Sequence, residues 1–267
     1  MNNVKEWKDR LAIIDVGCRW GFEAHIYDPD IPFDYWGFDP DEKECARLAS
    51  KAPENYSFIA TCLGSAQQDS VVFNTKEPAC SSLYRPVEFY SQNYKFMSDT
   101  ECTDVSKTKI TRLDSWCKEN SVDRIDYLKI DTQGSELEII RGCGALLNSV
   151  VALDVEVQFN PMYENVPPFW QIDSALRQAG LVLYNFETLC HYDTPTSHQT
   201  SNNLRVAFDS IENSVPMGSG QLFWGDAFYV RDSLLPINRK TTSRDELDRG
   251  EQLFKLLNKQ IDLTRHC

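Results

Sequence analysis

The apolar run Leu11–Val16 ends at Gly17, and Gly21 follows four residues later, so the segment reads D-x-G-x-x-x-G from Asp15. A strand, a glycine turn and a helix start let backbone amides approach a nucleotide-like ligand closely. About 20 residues on, the next apolar run closes at Asp39, where a carboxylate can accept hydrogen bonds from both hydroxyls of a ribose. An ordinary βα turn with a helix-capping Asp has the same residues. The two features together, at this spacing, favour the nucleoside half of a ligand site. GxGxxG is absent, and Arg19 and Trp20 fill the turn where a pyrophosphate needs bare backbone, which counts against a dinucleotide.

The most distinctive segment is DYLKIDTQGSELEIIRGC. Asp131 ends its strand, where doubly wound sheets place their sites, and Gly134 permits a sharp turn into a helix at Ser135 and Glu136. Further on, LDVEVQ places Asp154, Glu156 and Gln158 on one strand face by period two. Polar groups along a central strand are costly unless paired, so at least one is expected to face a pocket, with edge exposure as the alternative. Asp131, Glu156 and Asp226 could gather a divalent cation with oxygen ligands. No spacing demands it, and no metal is expected.

These residues need a scaffold. Continuous apolar runs at Leu11–Val16, Tyr35–Phe38, Tyr56–Leu63, Asp126–Ile130, Val150–Val157, Leu181–Phe186 and Leu222–Val230 read as strands buried on both faces. Helical stretches lie between them: Glu42–Ser50 capped by Asp41, Ser115–Asn120 capped by Asp114, Ser135–Arg141 stopped at Gly142 and Gly144, and Phe169–Ala179 stopped at Gly180. Alternation of this kind predicts an α/β fold, a doubly wound and mostly parallel sheet, with the late strand antiparallel. Thr75–Thr108 and His191–Met217 read as long irregular insertions that border the pocket. Ser243-x-x-Glu246 is a capping box, and Leu247, Phe254, Leu257 and Ile261 recur at helical spacing. That C-terminal helix packs on its own domain or forms a homodimer contact.

The chain has 267 residues, of which 42% are hydrophobic and 25% charged, enough for one α/β domain with a terminal extension. A net charge of −13 with no Lys/Arg run argues against nucleic acid as partner. Nine scattered cysteines without a CxxC pair read as free thiols in a reducing compartment. The polar start and the lack of a membrane-spanning apolar run predict a cytoplasmic protein with no membrane partner.

IIDVGCRWG, GFDPDE, SSLY, ITRLDSW and above all LKIDTQGSELEIIRG resemble the motifs of FkbM-type methyltransferases, and FWGDAFYVR is similar to that family's final strand. The resemblance covers Leu11 to Arg231 in motif order, and LKID-x-x-G-x-E is its specific part. It implies a class I, Rossmann-like domain over residues 1–235, a helical extension over 236–267, and S-adenosylmethionine as cofactor. The implied reaction is methylation of a hydroxyl on a sugar, sugar nucleotide or related hydroxylated small molecule. By the same resemblance Asp15, Gly17, Cys18 and Gly21 form the cofactor turn. Asp39 with Pro40 holds the ribose, and Cys62 and Leu63 lie near adenine. Asp131 sits beside the methionine end or the reacting centre. Asp39 stands where the family commonly has Glu, and Arg19–Trp20 replace smaller residues. An alcohol acceptor needs a base. Asp131 and Glu156 are the candidates because neighbouring strand ends converge, and His191 and His198 are rivals in a loop. A nucleotide-dependent oxidoreductase and a non-catalytic binding module of the same fold are the competing classes.

Overall fold

The computed structural model describes residues 10–22, 25–192, 203–208, 211–216, 221–238 and 242–259. Its strands are β1 (Leu11–Val16), β2 (Phe33–Asp39), β3 (Tyr56–Ala60), β4 (Cys62–Leu63), β5 (Gln68–Thr75), β6 (Cys102–Thr111), β7 (Tyr127–Ile130), β8 (Ala152–Gln158), β9 (Leu181–Tyr192), β10 (Asn203–Phe208), β11 (Ile211–Pro216) and β12 (Gln221–Arg231). The helices are α1 (Glu42–Ala49), α2 (Glu88–Asn93), α3 (Leu113–Glu119), α4 (Glu136–Gly142), α5 (Phe169–Gln178) and α6 (Arg244–Leu256).

Seven strands form one sheet in the order β3-β2-β1-β7-β8-β12-β9. The chain runs outward from β1 to β3, then returns to lay β7 against the other side of β1. Ligand crevices of doubly wound sheets open at such a switch point, beyond the carboxyl ends of the strands. β1, β2, β3, β7 and β8 are parallel neighbours, and β12 runs antiparallel between β8 and β9, as the sequence predicts.

Period two divides the sheet's faces. Ile14, Val16, Leu128, Ile130, Leu153 and Val155 point to one core, packed under α3, α4 and α5. Leu11, Ile13, Tyr127 and Ala152 point to the other, packed under α6 through Leu253, Phe254, Leu256 and Leu257. On this second face the same strands turn polar as they reach their carboxyl ends, at Asp15, Lys129, Asp131, Asp154 and Glu156. Helix α6 therefore covers the apolar half of the face. Its Ser243 cap accepts from the Glu246 amide at 3.2 Å, and Arg249 reaches buried Asp126 at 3.2 Å.

Several local expectations change. No α-helix follows the glycine turn among the described residues, and Tyr27 donates its amide to the Leu256 carbonyl. The Tyr56–Leu63 run breaks at Thr61, whose amide turns back to the Asp39 carbonyl, so Cys62–Leu63 leaves the main sheet and pairs with β6. Thr75–Thr108 is not irregular throughout. β5 and β6 form a long antiparallel pair, and β4 completes a three-stranded sheet. β6 buries only Ile110, so it carries no apolar alternation to betray it. In His191–Met217, β9 extends to Tyr192 and β10 pairs with β11, while His198 and Ile261 lie outside the described residues. Asp41 caps α1 as expected, but Arg112 rather than Asp114 is the N-cap of α3, and Asp114 pairs with Arg112. No helix among the described residues is long and apolar enough to cross a membrane.

Candidate active site

Gly17, at the carboxyl end of β1, has φ +85°, and a Cβ there would stand 1.8 Å from the Asp131 carbonyl oxygen. The glycine thus lets two strand ends meet. Its amide and that of Cys18 both donate to the Phe38 carbonyl, at 2.8 and 3.1 Å, and the Gly21 amide donates to Cys18. The first two amides stitch β1 to β2, and the third closes the turn on itself. Beside them Trp20 takes φ +75°, and Arg19 pairs with Asp41 at 2.8 Å and stands 3.9 Å from Asp39.

A pocket opens over this junction. Gly17, Asp39, Pro40, Cys62, Leu63 and Asp131 all line it, so six expected cofactor residues from separate strand ends share one wall. Asp15 is almost fully buried and lies beneath the pocket, accepting from Tyr35 Oη at 3.0 Å and Lys129 Nζ at 3.5 Å. Cys18 packs in the core, and Gly21 shapes the turn without facing the pocket. The opposite wall comes from Val72 of β5 and from the segment that follows it, through Pro78, Ala79, Ser81, Ser82 and Leu83. Ser82 Oγ donates to the Gln133 carbonyl at 2.7 Å, which fixes that wall to the loop after β7.

That loop carries most of the site's strain and charge. Gln133 has φ +60° and Gly134 φ +122°. Glu136 holds the loop by accepting from the amides of Thr132 and Gly134, at 3.0 and 2.9 Å. Gln133 Nε2 donates to Asp131 Oδ1 at 3.1 Å and to Glu156 Oε2 at 2.9 Å, while Tyr163 Oη lies 2.9 Å from Gln133 Oε1. The two expected catalytic carboxylates are thereby brought together, Asp131 at the pocket and Glu156 behind it. Asp226 pairs with Glu156 in register across β12 and β8.

Electrostatics separate these groups. Burial raises Glu156 well above the usual carboxylate range, and the charges of Asp131, Glu136 and Asp226 add to it. Asp226 is raised to about 7, mainly by burial and then by Asp131. Glu136 is pushed to about 7 by burial, against its backbone donors. Burial alone would lower Lys129, but the charges of Asp15 and Asp131 outweigh it and hold its ammonium above the ordinary lysine range. Asp39 is raised by burial, opposed by the Asp41 amide and Arg19. Among the described residues no group of three or more His, Cys, Asp or Glu could hold a metal ion.

The sequence reading missed Lys129, Gln133 and Tyr163. Lys129 was legible, since period two from Asp131 puts it on the same face. Tyr163 comes from a loop far along the chain, and no local signal marks it. His191 lies on β9 rather than in a loop.

A family model described as the methyltransferase FkbM domain matches residues 29–183. The match spans Asp39, Cys62, Asp131 and Glu156, whereas the glycine turn at 15–21 precedes it. No curated protein matches the chain.

Proposed function

The chain belongs to the FkbM methyltransferase family, and from that premise we propose that it uses S-adenosylmethionine to methylate a hydroxyl of a sugar, sugar nucleotide or related hydroxylated small molecule. The observation that carries the reading is the shared pocket of Gly17, Asp39, Pro40, Cys62, Leu63 and Asp131 at the switch point. The residues fit the cofactor. Asp39 offers a buried carboxylate to a ribose, Leu63, Val72 and Leu83 offer apolar contact to a base, and Asp131 with Lys129 faces the amino-acid end. They fit a dinucleotide less well, because the Gly17 and Cys18 amides are committed to Phe38 and Arg19 and Trp20 line the pocket where a pyrophosphate needs bare backbone.

When bound, the cofactor supplies a methyl group made electrophilic by its sulfonium. The chain must then align an acceptor oxygen in line with that methyl, exclude water and take the acceptor's proton. Glu156 is our choice for the proton. Its carboxyl is buried behind the pocket with its proton affinity raised by that burial, while Asp131 already faces the Lys129 ammonium at 3.8 Å. Glu156 would take the acceptor's hydroxyl proton, directly or through one water. Gln133 keeps Glu156 in register with Asp131 at the pocket.

Calorimetry with S-adenosylmethionine, S-adenosylhomocysteine and NAD tests the cofactor. The first two should bind and NAD should not. Tight NAD binding without response to the others would establish the oxidoreductase reading instead. A screen of sugar nucleotides and hydroxylated small molecules with labelled methyl donor then tests the acceptor class.

A further inference from the structure

Asp154, Glu156 and Gln158 leave one face of β8, with Gln158 nearest the strand's carboxyl end. Gln158 is only 2% exposed. Its Oε1 accepts from the Met162 amide at 3.1 Å, which fixes the direction of the side-chain amide. Its Nε2 is fully buried and has no hydrogen-bond partner among the described residues. A buried NH2 group without a partner carries a desolvation cost. Methionine would fill the same space without that cost.

A second glutamine gives the contrast. Gln133 Oε1 lies 2.9 Å from Tyr163 Oη, and Gln133 Nε2 donates to Glu156 Oε2 at 2.9 Å. The consecutive residues Met162 and Tyr163 thus orient two amides, one on each glutamine. The NH2 of Gln133 is committed to the carboxylates, and that of Gln158 is not. Glu and Gln side chains have equal length, and two residues along a strand span about 7 Å. One hydrogen bond of about 2.8 Å from each head leaves room between them for oxygens on adjacent carbons.

We propose that Gln158 is an acceptor-binding residue. Its Nε2 donates to an oxygen on the carbon next to the hydroxyl whose proton Glu156 takes, so the site accepts a vicinal diol. The proposal rests on the reading that this chain methylates a sugar-like hydroxyl, and it narrows that class. The turn that holds both amides is bonded to residues 85–87, through the Val87 amide to the Met162 carbonyl at 2.9 Å and the Glu164 amide to the Arg85 carbonyl at 2.8 Å. Because Gln158 is buried, this turn shifts outward to admit the acceptor.

The test uses the full chain, labelled methyl donor, and the methyl glycosides of glucose, galactose and mannose, each also in its singly deoxygenated forms. In the wild-type protein, loss of one hydroxyl beside the methylated one should cut kcat/KM about 10- to 100-fold, since it leaves the buried NH2 unpaired. Gln158→Met should slow the parent glycoside by a similar factor and leave that deoxy form within about threefold. Equal slowing of both would make Gln158 a support for the Met162 turn and overturn the proposal. So would a wild-type protein indifferent to every neighbouring hydroxyl, a comparison that needs no variant and decides the matter if Gln158→Met does not fold. A protein that binds S-adenosylhomocysteine but methylates none of the glycosides refutes the sugar reading itself, and the proposal falls with it.

Discussion

The pocket has two halves that handle charge in opposite ways. Around the nucleoside end, charged groups are matched by the fold. Arg19 bonds Asp41, Arg47 bonds Glu44 at 2.6 Å, and the Asp41 amide donates to Asp39 Oδ1 at 2.8 Å. Around the transfer end, Asp131, Glu136, Glu156 and Asp226 crowd together, and Lys129 balances only Asp131 and Asp226 among them. Burying carboxylates is costly, and at Glu136, Glu156 and Asp226 the cost appears as raised proton affinity. Under the proposed function, the contrast separates recognition from reaction. The first half is complete without a ligand, and the second is left electrically unfinished, as expected where chemistry is to occur.

The largest effect should come from removing the proton acceptor in the unfinished half. Glu156→Gln keeps shape and hydrogen-bond capacity but cannot take a proton, so single-turnover methyl transfer to an acceptor found by the screen should fall about 10²–10⁴-fold while S-adenosylhomocysteine affinity changes little. Asp131→Asn should instead lower cofactor affinity and rate together. If Asp131→Asn slows transfer at unchanged affinity and Glu156→Gln does nothing, the two roles are reversed.

A second substitution strikes the seam between the halves. Gly17→Ala forces a side chain into the left-handed region and drives its Cβ into the Asp131 carbonyl at 1.8 Å. A loss of about 2–4 kcal/mol in unfolding free energy is expected, from the left-handed backbone cost plus overpacking. Denaturant titration measures it. A variant as stable as the wild type would mean that the strand ends can part freely.

The two halves were also unequally legible in the sequence. The nucleoside half is local: Asp15, Gly17 and Asp39 sit at strand ends bounded by apolar runs, and Asp41 caps the helix that follows at once. The transfer half is assembled across the sheet. Lys129 and Asp131 share a strand, but Glu156 meets them through Gln133, Gln133 meets Tyr163 from a later loop, and Asp226 arrives on an antiparallel strand. Gln133 gave no signal of its left-handed backbone, because TQG reads only as a turn. The glycine turn was located correctly for a reason that proved incomplete, since its amides serve Phe38 and its missing side chain serves Asp131. β6 was missed because a solvated ribbon of Thr, Ser and Lys has no face to alternate against.

Smaller again is the effect of Asp39→Ala. The nucleoside half is matched by the fold, so the substitution should leave the pocket standing and remove only the bonds to ribose. A loss of about 1–3 kcal/mol in S-adenosylhomocysteine binding is expected, since these are charge-assisted bonds. Calorimetry would read it as a weaker dissociation constant at similar stability. An equal affinity would move the ribose away from β2.

The smallest effect is a pH dependence from the buried carboxylates Asp154 and Asp226. Burial raises Asp154 to about 6 and Asp226 to about 7, so both are largely neutral in mild acid and ionised above neutrality. Their folded proton affinities exceed those of the unfolded chain. The folded state therefore retains protons that the unfolded chain has released, and without ligand its stability should fall as pH rises from about 4 to about 7. A positive sulfonium reverses the preference, because it gains from each carboxylate that ionises nearby. The thioether of S-adenosylhomocysteine carries no such charge and serves as the control. The affinity ratio of S-adenosylmethionine to S-adenosylhomocysteine should therefore climb by roughly threefold to tenfold between about pH 5.5 and 7.5, the Coulombic effect of a charge several ångströms away in a partly screened site. Asp226→Asn should flatten the climb. A ratio that stays constant, or falls as pH rises, would place the sulfonium away from these carboxylates and leave their crowding without a role in transfer.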